Sequence, residues 1–494
     1  MKTNFPHIHF PCRTAFFPVV FLALLVFLSG CASVGPDYVR PDTRVSDQWN
    51  TPLKGGLNPG VNDPGALAAW WTTLNDEALS NIIDRAAAGN KDLKKAKARV
   101  RQARASRRVA AADFFPSVDA SASGRRAYSS ADAVTENVDD LYSAGFDASW
   151  EIDIFGGVRR SVEASGADLD AAREDLRDVI VSLLGEVATN YIDVRSYQAR
   201  IEAAEGNIAK QAETYQLTLW RQEAGLGDEL AVQEALSNLE STRSQVPDLR
   251  SGLEAALNRI AVLLGEQPGK VHEELGKPGS IPAPPVDVAV GVPAEALRRR
   301  PDVRRAEREL AAQTARVGVA TAELYPKFML MGSIGIEALS VNRLVSTPTR
   351  SYGFGPSVSW PIFRGGAIRA NIEVQSALQE QALVEYEKTV LTALEEVENV
   401  LTAYAEEQKK MESLRLAGEA AGKSAEIALR KYEAGLIDFL AVLVAQRSLL
   451  SAKDQLAKSR GVVTSNLIKL YKALGGGWES MASPQGEEDI YREE

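Results

Sequence analysis

The sequence has 494 residues, a formal net charge of −10 and an isoelectric point near 5.2, so an acidic surface is expected. An acidic chain lacks the basic footprint that nucleic-acid binding requires. His7, His9 and Cys12 lie within the first 30 residues, so the rest of the chain has one cysteine and one histidine, too few for a cysteine–histidine metal cluster or a disulfide. We therefore expect no nucleic-acid partner, no metal site and no cofactor.

Residues 1–30 are predicted to be a lipoprotein signal peptide. They contain Lys2, Arg13 and no acidic residue, followed by an apolar stretch over 16–28 that is shorter than the roughly 20 residues of a membrane-spanning helix. The stretch ends in Leu28-Ser29-Gly30-Cys31, which resembles a lipobox. Cys31 would then be lipidated and become the first residue of the mature chain. An ordinary secretory signal with a chance cysteine is the alternative.

Removal of this signal would leave few groups for catalysis. The formal charge would become −12 (−10 minus 2 for Lys2 and Arg13), and one histidine and one cysteine would remain, His272 and Cys31. A Ser-His-Asp site would have to use His272, which lies in a connector rich in proline and glycine. We therefore interpret His272 as a solvated linker residue and predict that the protein is not an enzyme.

The rest of the chain repeats itself at an offset of 210 residues (326 minus 116 for two prolines). A constant offset over roughly 170 residues predicts an internal duplication into two large halves, since solenoid repeats are much shorter. The matching segments include Phe115-Pro116 with Tyr325-Pro326, Ser149-Trp150 with Ser359-Trp360, and Glu223-Ala224-Gly225-Leu226 with Glu433-Ala434-Gly435-Leu436.

The duplication and the composition together predict the domain boundaries. A lipid-tethered linker covers 31–65, a Pro-rich linker covers 266–292, and an acidic disordered tail covers 476–494. The repeats themselves are 66–265 and 293–475. Each repeat has a first helix, a β-hairpin (116–155 and 326–363) and a long helical hairpin (158–264 and 366–474).

The predicted strands alternate apolar and polar residues. Phe146, Ala148, Trp150 and Ile152 share one face of the segment that ends the first hairpin. The four limbs, over 117–127, 143–153, 327–338 and 351–363, are close to the 9–11 residues of a tilted membrane strand. Soluble hairpins show the same pattern, so the pattern alone leaves both interpretations open.

The helical hairpins are predicted from a seven-residue apolar repeat. Ile180, Val187, Val194 and Ile201 recur in step, and the segment 159–223 contains no proline. A sustained heptad is typical of coiled-coil packing, and the second half repeats it over 367–433. Some 65 residues at 1.5 Å each predict a helix on the order of 100 Å long. Helices of that length are longer than the core of a globular domain is wide.

Four strands cannot close a barrel, and a sheet with open edges is not tolerated in lipid. If the strands cross a membrane, the chain must therefore form oligomers. Two copies would give eight strands and a filled lumen, whereas three would give twelve strands and an aqueous pore.

The chain resembles the outer-membrane factor (TolC-like) family, in particular its NodT-type lipoprotein branch. The resemblance covers nearly all of the chain after the signal. It rests on Cys31, Val34-Gly35-Pro36-Asp37-Tyr38, Trp70-Trp71 with Leu74, Asp76 and Leu79, the block Val292-Pro293-Ala294-Glu295-Ala296-Leu297 with Arg299-Arg300-Pro301-Asp302-Val303, and Ser359-Trp360-Pro361-Ile362-Phe363.

This resemblance implies an α+β membrane protein. Three chains would form one twelve-stranded β-barrel in the outer membrane, four strands from each, continuous with a long periplasmic helical barrel. The implied function is the exit channel of a tripartite efflux or export system, which passively conducts small molecules. The implied partners are a periplasmic adaptor and an inner-membrane pump, most often of the resistance-nodulation-division type.

The resemblance also implies functional positions. The turns are expected to be adaptor-docking tips, at Gly225, Leu226 and Asp228 and at Gly435, Leu436 and Asp438. The same glycines would also serve simply as left-handed helix caps. A periplasmic gate is expected at Tyr432, Leu440 and Val444. Because Ile437, Ala441 and Val444 replace charged residues found in relatives, an apolar closure is predicted; ordinary coiled-coil core is the alternative for Leu440 and Val444.

A periplasmic coiled-coil scaffold lipoprotein without a pore is the alternative function. It explains the rods and the lipid anchor, but not the β limbs bounded by aromatic-Pro steps. Three further groups are interpreted from the sequence. Trp150 and Trp360 are interpreted as membrane-interface anchors, with ordinary barrel packing as the alternative. Arg298-Arg299-Arg300 is interpreted as a solvated or phosphate-facing patch, and Glu395, Glu396 and Glu398 as a solvated or lumen-facing stripe, with an acid/base pair as the alternative.

Overall fold

The computed structural model describes residues 33–42, 45–60, 64–130, 136–346 and 349–481. In chain order, the elements are β1 (Leu57–Asn58), α1 (Pro64–Ala68), a 3₁₀ turn (Trp70–Leu74), α2 (Glu77–Gly89), α3 (Lys91–Ala112), β2 (Ser117–Ser130), β3 (Glu136–Ile152), α4 (Gly157–Glu223), α5 (Glu229–Arg243), α6 (Gln245–Leu264), α7 (His272–Leu275), β4 (Val288–Ala289), α8 (Pro293–Arg299), α9 (Pro301–Ala322), β5 (Lys327–Ala338), α10 (Val341–Ser346), β6 (Thr349–Ser359), α11 (Ala367–Glu433) and α12 (Phe439–Ala473).

Contacts within the chain divide it into two compact units. The strand unit contains Arg101–Ala171, Glu307–Glu385 and the N-terminal residues up to Pro41. The helical unit contains Asp42–Val100, Ala172–Ala306 and the residues from Tyr386 onward. None of the described helices combines the length and apolar composition that a membrane-spanning helix needs.

The strand unit is built on a four-stranded sheet in the order β2-β3-β5-β6, with every pair antiparallel. Ser117 pairs with Ser149 and Lys327 with Ser359. The strands lie where the alternating pattern predicts them, although β2 and β3 are longer than the predicted limbs and β6 ends four residues earlier (363 minus 359). Within the described part of the chain, β2 and β6 are edge strands with one neighbour each.

Large apolar side chains of the sheet are exposed in the single chain. Phe354 is 87% exposed, Ile334 is 63% exposed and Phe146 is 57% exposed. A soluble sheet normally covers such a face with another layer. This sheet therefore presents apolar surface that a single copy of the chain leaves uncovered.

The long helices α4 and α11 have 67 residues each, as the heptad pattern predicts. In α4, Val187 and Val194 are fully buried. The return helices differ between the halves: α12 is continuous, whereas the first return helix is divided at Ser244 into α5 and α6. Pro247 explains the break, because proline has no amide hydrogen for a helical hydrogen bond and disfavours helix in the residue before it.

The core of the helical unit surrounds the Trp70-Trp71 pair. Trp70 stacks on Tyr471 with ring centroids 5.6 Å apart. Asp76 caps α2 by accepting a hydrogen bond from the Leu79 amide at 3.0 Å, and its other oxygen accepts one from the Tyr191 hydroxyl at 2.7 Å. Trp70 therefore joins the 3₁₀ turn to α12, and Asp76 joins the start of α2 to α4.

Two predicted loose segments are partly packed. Near the N-terminus, the Val34 amide donates to the Phe155 carbonyl at 3.1 Å, and Arg160 forms an ion pair with Asp37 at 2.6 Å. Near the C-terminus, Trp478 packs against the helical-unit core, with the Arg177 guanidinium 4.6 Å from its ring centre. The acidic residues 482–494 lie outside the described residues.

Candidate functional site: helical turns and strand junction

The turn after α4 reverses the first helical hairpin. Gly225 has φ of 69°, and its amide donates to the Gln222 carbonyl at 2.9 Å, while the Leu226 amide donates to the Arg221 carbonyl at 2.8 Å. This pair of bonds is a Schellman helix end. Asp228 then caps α5 by accepting from the Leu230 amide at 3.0 Å.

The turn after α11 repeats this geometry. Gly435 has φ of 70°, and its amide donates to the Tyr432 carbonyl at 2.9 Å, while Leu436 donates to the Lys431 carbonyl at 2.9 Å. Asp438 caps α12 through the Ala441 amide at 3.2 Å. Leu226 is 70% exposed and Leu436 is 72% exposed, so each turn leaves an apolar side chain uncovered within the chain.

Tyr432 lies in a buried cluster beside the second turn. Its ring meets Phe439 edge-on, with centroids 5.4 Å apart, and the Arg221 guanidinium lies 4.8 Å from its centre. Arg221 also donates to the Glu433 carbonyl at 3.1 Å. Burial raises the pKa of Tyr432, while Arg221 opposes that shift. The contact therefore joins the end of α4 to the end of α11.

Leu440 and Val444 do not belong to the Tyr432 cluster. They lie one helical turn apart on α12 and are 54% and 56% exposed, whereas Phe439, Val442 and Leu443 face the buried side. The three predicted gate residues therefore separate into one that packs within the chain and two that are available to another surface. Arg221 and Phe439 were not predicted, because no local pattern marks contacts between distant turns.

The junction between strands and helices carries a tryptophan in each half. The Trp150 indole donates to the Phe114 carbonyl at 3.0 Å, and the Trp360 indole donates to the Leu324 carbonyl at 3.1 Å. A cavity of about 660 Å³ opens nearby, lined by Phe115, Pro116 and Pro326 and by Glu151, Asp153 and Lys327 among others. Each indole thus ties the end of a hairpin to the residues that directly follow the helix before that hairpin.

The interpretation of Arg300 as a solvated or phosphate-facing residue is wrong. Its side chain is buried, pairs with Asp302 at 2.7 Å and Glu396 at 2.8 Å, and donates to the Ala473 carbonyl at 2.8 Å. Burial alone would raise the pKa of Asp302, but the Arg300 guanidinium lowers it overall. Burial likewise opposes the Arg300 charge, and the pairs with Asp302 and Glu396 raise its pKa nevertheless.

The predicted glutamate stripe also has structural partners. Glu396 pairs with Arg300, and Glu398 accepts from the backbone amides of Asn50 at 2.7 Å and Thr51 at 2.9 Å. Burial would raise the pKa of Glu398, but these hydrogen bonds lower it. Glu396 therefore belongs to the Arg300 cluster and Glu398 holds the backbone at Asn50 and Thr51, whereas Glu395 is exposed.

The last two candidate residues are Cys31 and His272. Cys31 lies outside the described residues. His272 begins α7, and its Nε2 lies 2.6 Å from Glu254. Across the described residues, no group of three or more His, Cys, Asp or Glu side chains is arranged to hold a metal ion.

The chain matches a known family in two places. A family model described as outer membrane efflux protein matches residues 82–266 and 292–476. The two matches begin 210 residues apart (292 minus 82), which is the offset at which the sequence repeats.

Similar proteins cover almost the whole chain. Nodulation protein T of Rhizobium leguminosarum bv. trifolii is 32% identical, over 94% of this chain and 97% of that protein. The toluene efflux pump outer membrane protein TtgI of Pseudomonas putida is 30% identical, over 92% and 97%. The solved outer-membrane channel OprN is 38% identical, with a TM-score of 0.85 over 91% of this chain and 100% of that one.

Proposed function

The chain belongs to the outer membrane efflux protein family, and from that premise we propose that it is the outer-membrane channel of a tripartite efflux system. It conducts small molecules passively and catalyses no reaction. One observation carries this proposal: within the described residues, the four-stranded sheet has an unpaired strand at each edge and exposed apolar side chains. A periplasmic scaffold without a pore does not explain such a sheet.

The open edges support a homotrimer with one shared barrel. Unpaired backbone groups in lipid cost several kcal/mol each, so edge strands must find partners on other copies. Three copies of four strands give twelve, which leaves a water-filled lumen. The two family matches at the same offset support an internal duplication of the ancestral unit.

We propose an outer-membrane location with a large periplasmic part and a lipid on Cys31. The lipobox-like Leu28-Ser29-Gly30-Cys31 supports the anchor. Palmitate labelling tests it: Cys31→Ser should abolish incorporation of labelled palmitate, and unchanged labelling would refute the assignment. Transport need not stop, because the barrel inserts by itself.

The proposed partners are a periplasmic adaptor and an inner-membrane pump of the resistance-nodulation-division type. TtgI, one of the relatives, is named as the outer membrane protein of a toluene efflux pump. The two turns are the docking tips, and their matching helix ends and exposed leucines at 226 and 436 support a repeated contact. Leu226→Asp with Leu436→Asp should weaken adaptor capture while leaving the isolated channel intact.

The gate is an apolar constriction. The exposure of Leu440 and Val444 on one face of α12 supports their meeting equivalent residues of other copies. Apolar constrictions close by dewetting and need no ion pair. Tyr432 acts differently, by fixing the ends of α4 and α11 through Arg221.

Planar-bilayer recording of the purified full-length protein tests the function. We expect discrete conductance steps, and a protein of trimer mass by detergent-corrected light scattering. Leu440→Ala with Val444→Ala should raise the closed-state conductance, whereas higher ionic strength should not open the parent channel. A correctly folded protein without conductance would favour the scaffold. A parent channel that salt opens strongly would indicate an ionic latch.

A further inference from the structure

The part of the first helical hairpin nearest its turn has a polar core. On α4, four polar residues spaced four, three and four positions apart are at most 4% exposed, and two polar residues of α5 are at most 3% exposed. This is the spacing at which a coiled coil normally buries apolar side chains. We call this set the polar layer: Asn207, Gln211, Thr214 and Thr218 of α4, with Asn238 and Thr242 of α5.

Gln211 is buried without hydrogen-bond partners. It is 2% exposed, yet neither its amide nitrogen nor its amide oxygen has a partner within the described residues. Gln222 of α4 donates to Glu229 of α5 at 2.6 Å, and antiparallel counting from that contact places Gln211 level with the stretch of α5 between Asn238 and Thr242. A buried amide without partners costs free energy that contact with water recovers. Separation of α5 from α4 therefore removes a cost that the packed arrangement carries.

Few contacts hold α5 in place. The apolar side chains that it buries are Val232, Ala235 and Leu239. In the part of the chain that the structure describes, its one side-chain hydrogen bond to α4 is that of Glu229, next to the turn. Toward α12, Asn238 bonds Gln446 at 3.4 Å and Arg447 at 3.1 Å. The packing of α5 is therefore weak over most of its length.

The matching segment of the second hairpin is packed more firmly. Residues 439–453 of α12 correspond to residues 229–243 of α5 at the offset of 210 (439 minus 229). The side chains larger than alanine that this segment buries are all apolar: Phe439, Val442, Leu443, Leu449 and Leu450. At the six positions that match the polar layer, the second half has four alanines and two serines. The polar layer is therefore a property of the first hairpin and is not repeated in the second.

A break in the return helix separates α5 from the residues that follow. Helix α5 ends at Arg243, α6 begins at Gln245, and Pro247 lies in the first turn of α6. Beyond the break, Arg250 pairs with Glu205 of α4 at 2.9 Å, and α6 buries apolar side chains along its length. The break thus coincides with the boundary between polar and apolar packing. Helix α12 continues through the matching residues without interruption.

We propose that α5 is a hinged segment, which detaches from α4 and α12 as a unit by bending at Ser244 and at the Gly225 turn, while α12 stays packed. Segments that open locally in folded proteins have few buried apolar contacts, and the polar layer lowers the cost further because water can hydrate its groups. Detachment moves the turn that carries Leu226 and Asp228. Detachment itself does not depend on the proposed function, but its use, the adjustment of this turn to an adaptor, rests on the proposed docking role.

Thiol labelling of the full-length protein in detergent measures detachment. Thr242 of α5 is 1% exposed and the matching Ala452 of α12 is 9% exposed, so the packed structure predicts slower reaction at position 242. Detachment reverses that order: a maleimide should modify Thr242→Cys roughly tenfold faster than Ala452→Cys. The parent protein controls for Cys31. Equal rates, or a faster reaction at position 452, would overturn the proposal.

Two further substitutions test the causes of detachment. In the Thr242→Cys protein, Gln211→Leu replaces the unpartnered amide with an apolar side chain, and Pro247→Ala allows the return helix to continue. Each should slow labelling roughly tenfold, and neither should change labelling of Ala452→Cys. Unchanged labelling after Gln211→Leu would overturn the role of the polar layer. Unchanged labelling after Pro247→Ala would overturn the role of the break.

Hydrogen exchange and bilayer conductance of the same preparation separate the hinge from the proposed channel. We expect the amides of residues 229–243 to exchange roughly tenfold faster than those of residues 439–453, at similar rates along α5. A conducting channel in which both segments exchange equally would overturn the hinge and leave the proposed function standing. Fast exchange of α5 in a folded protein that does not conduct would support the hinge and contradict the channel.

Discussion

Two equivalent joints in the two halves of the helical unit are built with different chemistry. In the first half, the side-chain amide of Asn90 donates to the Leu263 carbonyl at 2.8 Å. In the second half, 210 residues later (300 minus 90 and 473 minus 263), the Arg300 guanidinium donates to the Ala473 carbonyl at the same distance. Each joint connects the start of the helix before a β-hairpin to the end of a return helix.

The difference lies in what each buried group requires. Asn90 is neutral and completes its bonding by accepting from the Leu93 amide at 2.9 Å. Arg300 brings a charge, and Asp302 and Glu396 balance it. A buried charge is tolerated only when it is paired. One backbone connection can therefore be held by a neutral amide or by an ion cluster, and the cluster is more sensitive to the loss of a member.

The largest expected effect is the loss of the second joint. Arg300→Ala should lower the free energy of unfolding by up to about 3 kcal/mol, because it removes a buried guanidinium and leaves Asp302 without its partner in a partly buried site. The measurement is guanidinium unfolding of the detergent-extracted protein at fixed protein concentration. Arg300→Lys keeps the charge but not the planar fork, so it should lose less. An unchanged midpoint in the alanine variant would contradict the proposed importance of the cluster.

Acid should weaken the second joint before the first. The folded-state pKa of Asp302 is lowered, so its contribution is fully present above the unfolded value of about 3.9 and is lost as the pH falls through the folded value. The pH dependence of the thermal midpoint below about pH 4 should therefore be shallower in Asp302→Asn than in the parent. Equal slopes would show that other carboxylates account for the acid loss.

The first joint should give a smaller loss. Asn90→Ala removes a bond to a buried carbonyl and the cap of α3, which together predict about 1–3 kcal/mol. No charge is left behind, so the loss should be independent of pH between about 5 and 8. Guanidinium unfolding at two pH values in that range checks this. A loss as large as that of Arg300→Ala would show that the two joints are equivalent in strength as well as in position.

Much of the fold could be predicted from local patterns. The α11 boundaries and the four strands follow from periodicity and from proline and glycine positions. The joints could not be predicted in this way, because Arg300 finds its acceptor 173 residues away at Ala473. The same holds for the contact of Arg221 with the Tyr432 ring and for the hydrogen bond from the Asn50 amide to Glu398. Local periodicity determines which face of a helix is buried, but not which distant polar group it meets.

The smallest expected effect concerns the two turns, whose backbone geometry is the same in both halves of the chain. Gly225 and Gly435 have φ of 69° and 70°, and no atom lies within 4 Å of a Cβ placed at either position. Alanine there meets no clash, so the cost is the left-handed backbone alone, about 1 kcal/mol. Gly225→Ala and Gly435→Ala should therefore lower the free energy of unfolding equally, in contrast to the unequal joints. Guanidinium unfolding of the two variants side by side measures this, and a difference above about 1 kcal/mol would show that one turn carries a constraint beyond its backbone geometry.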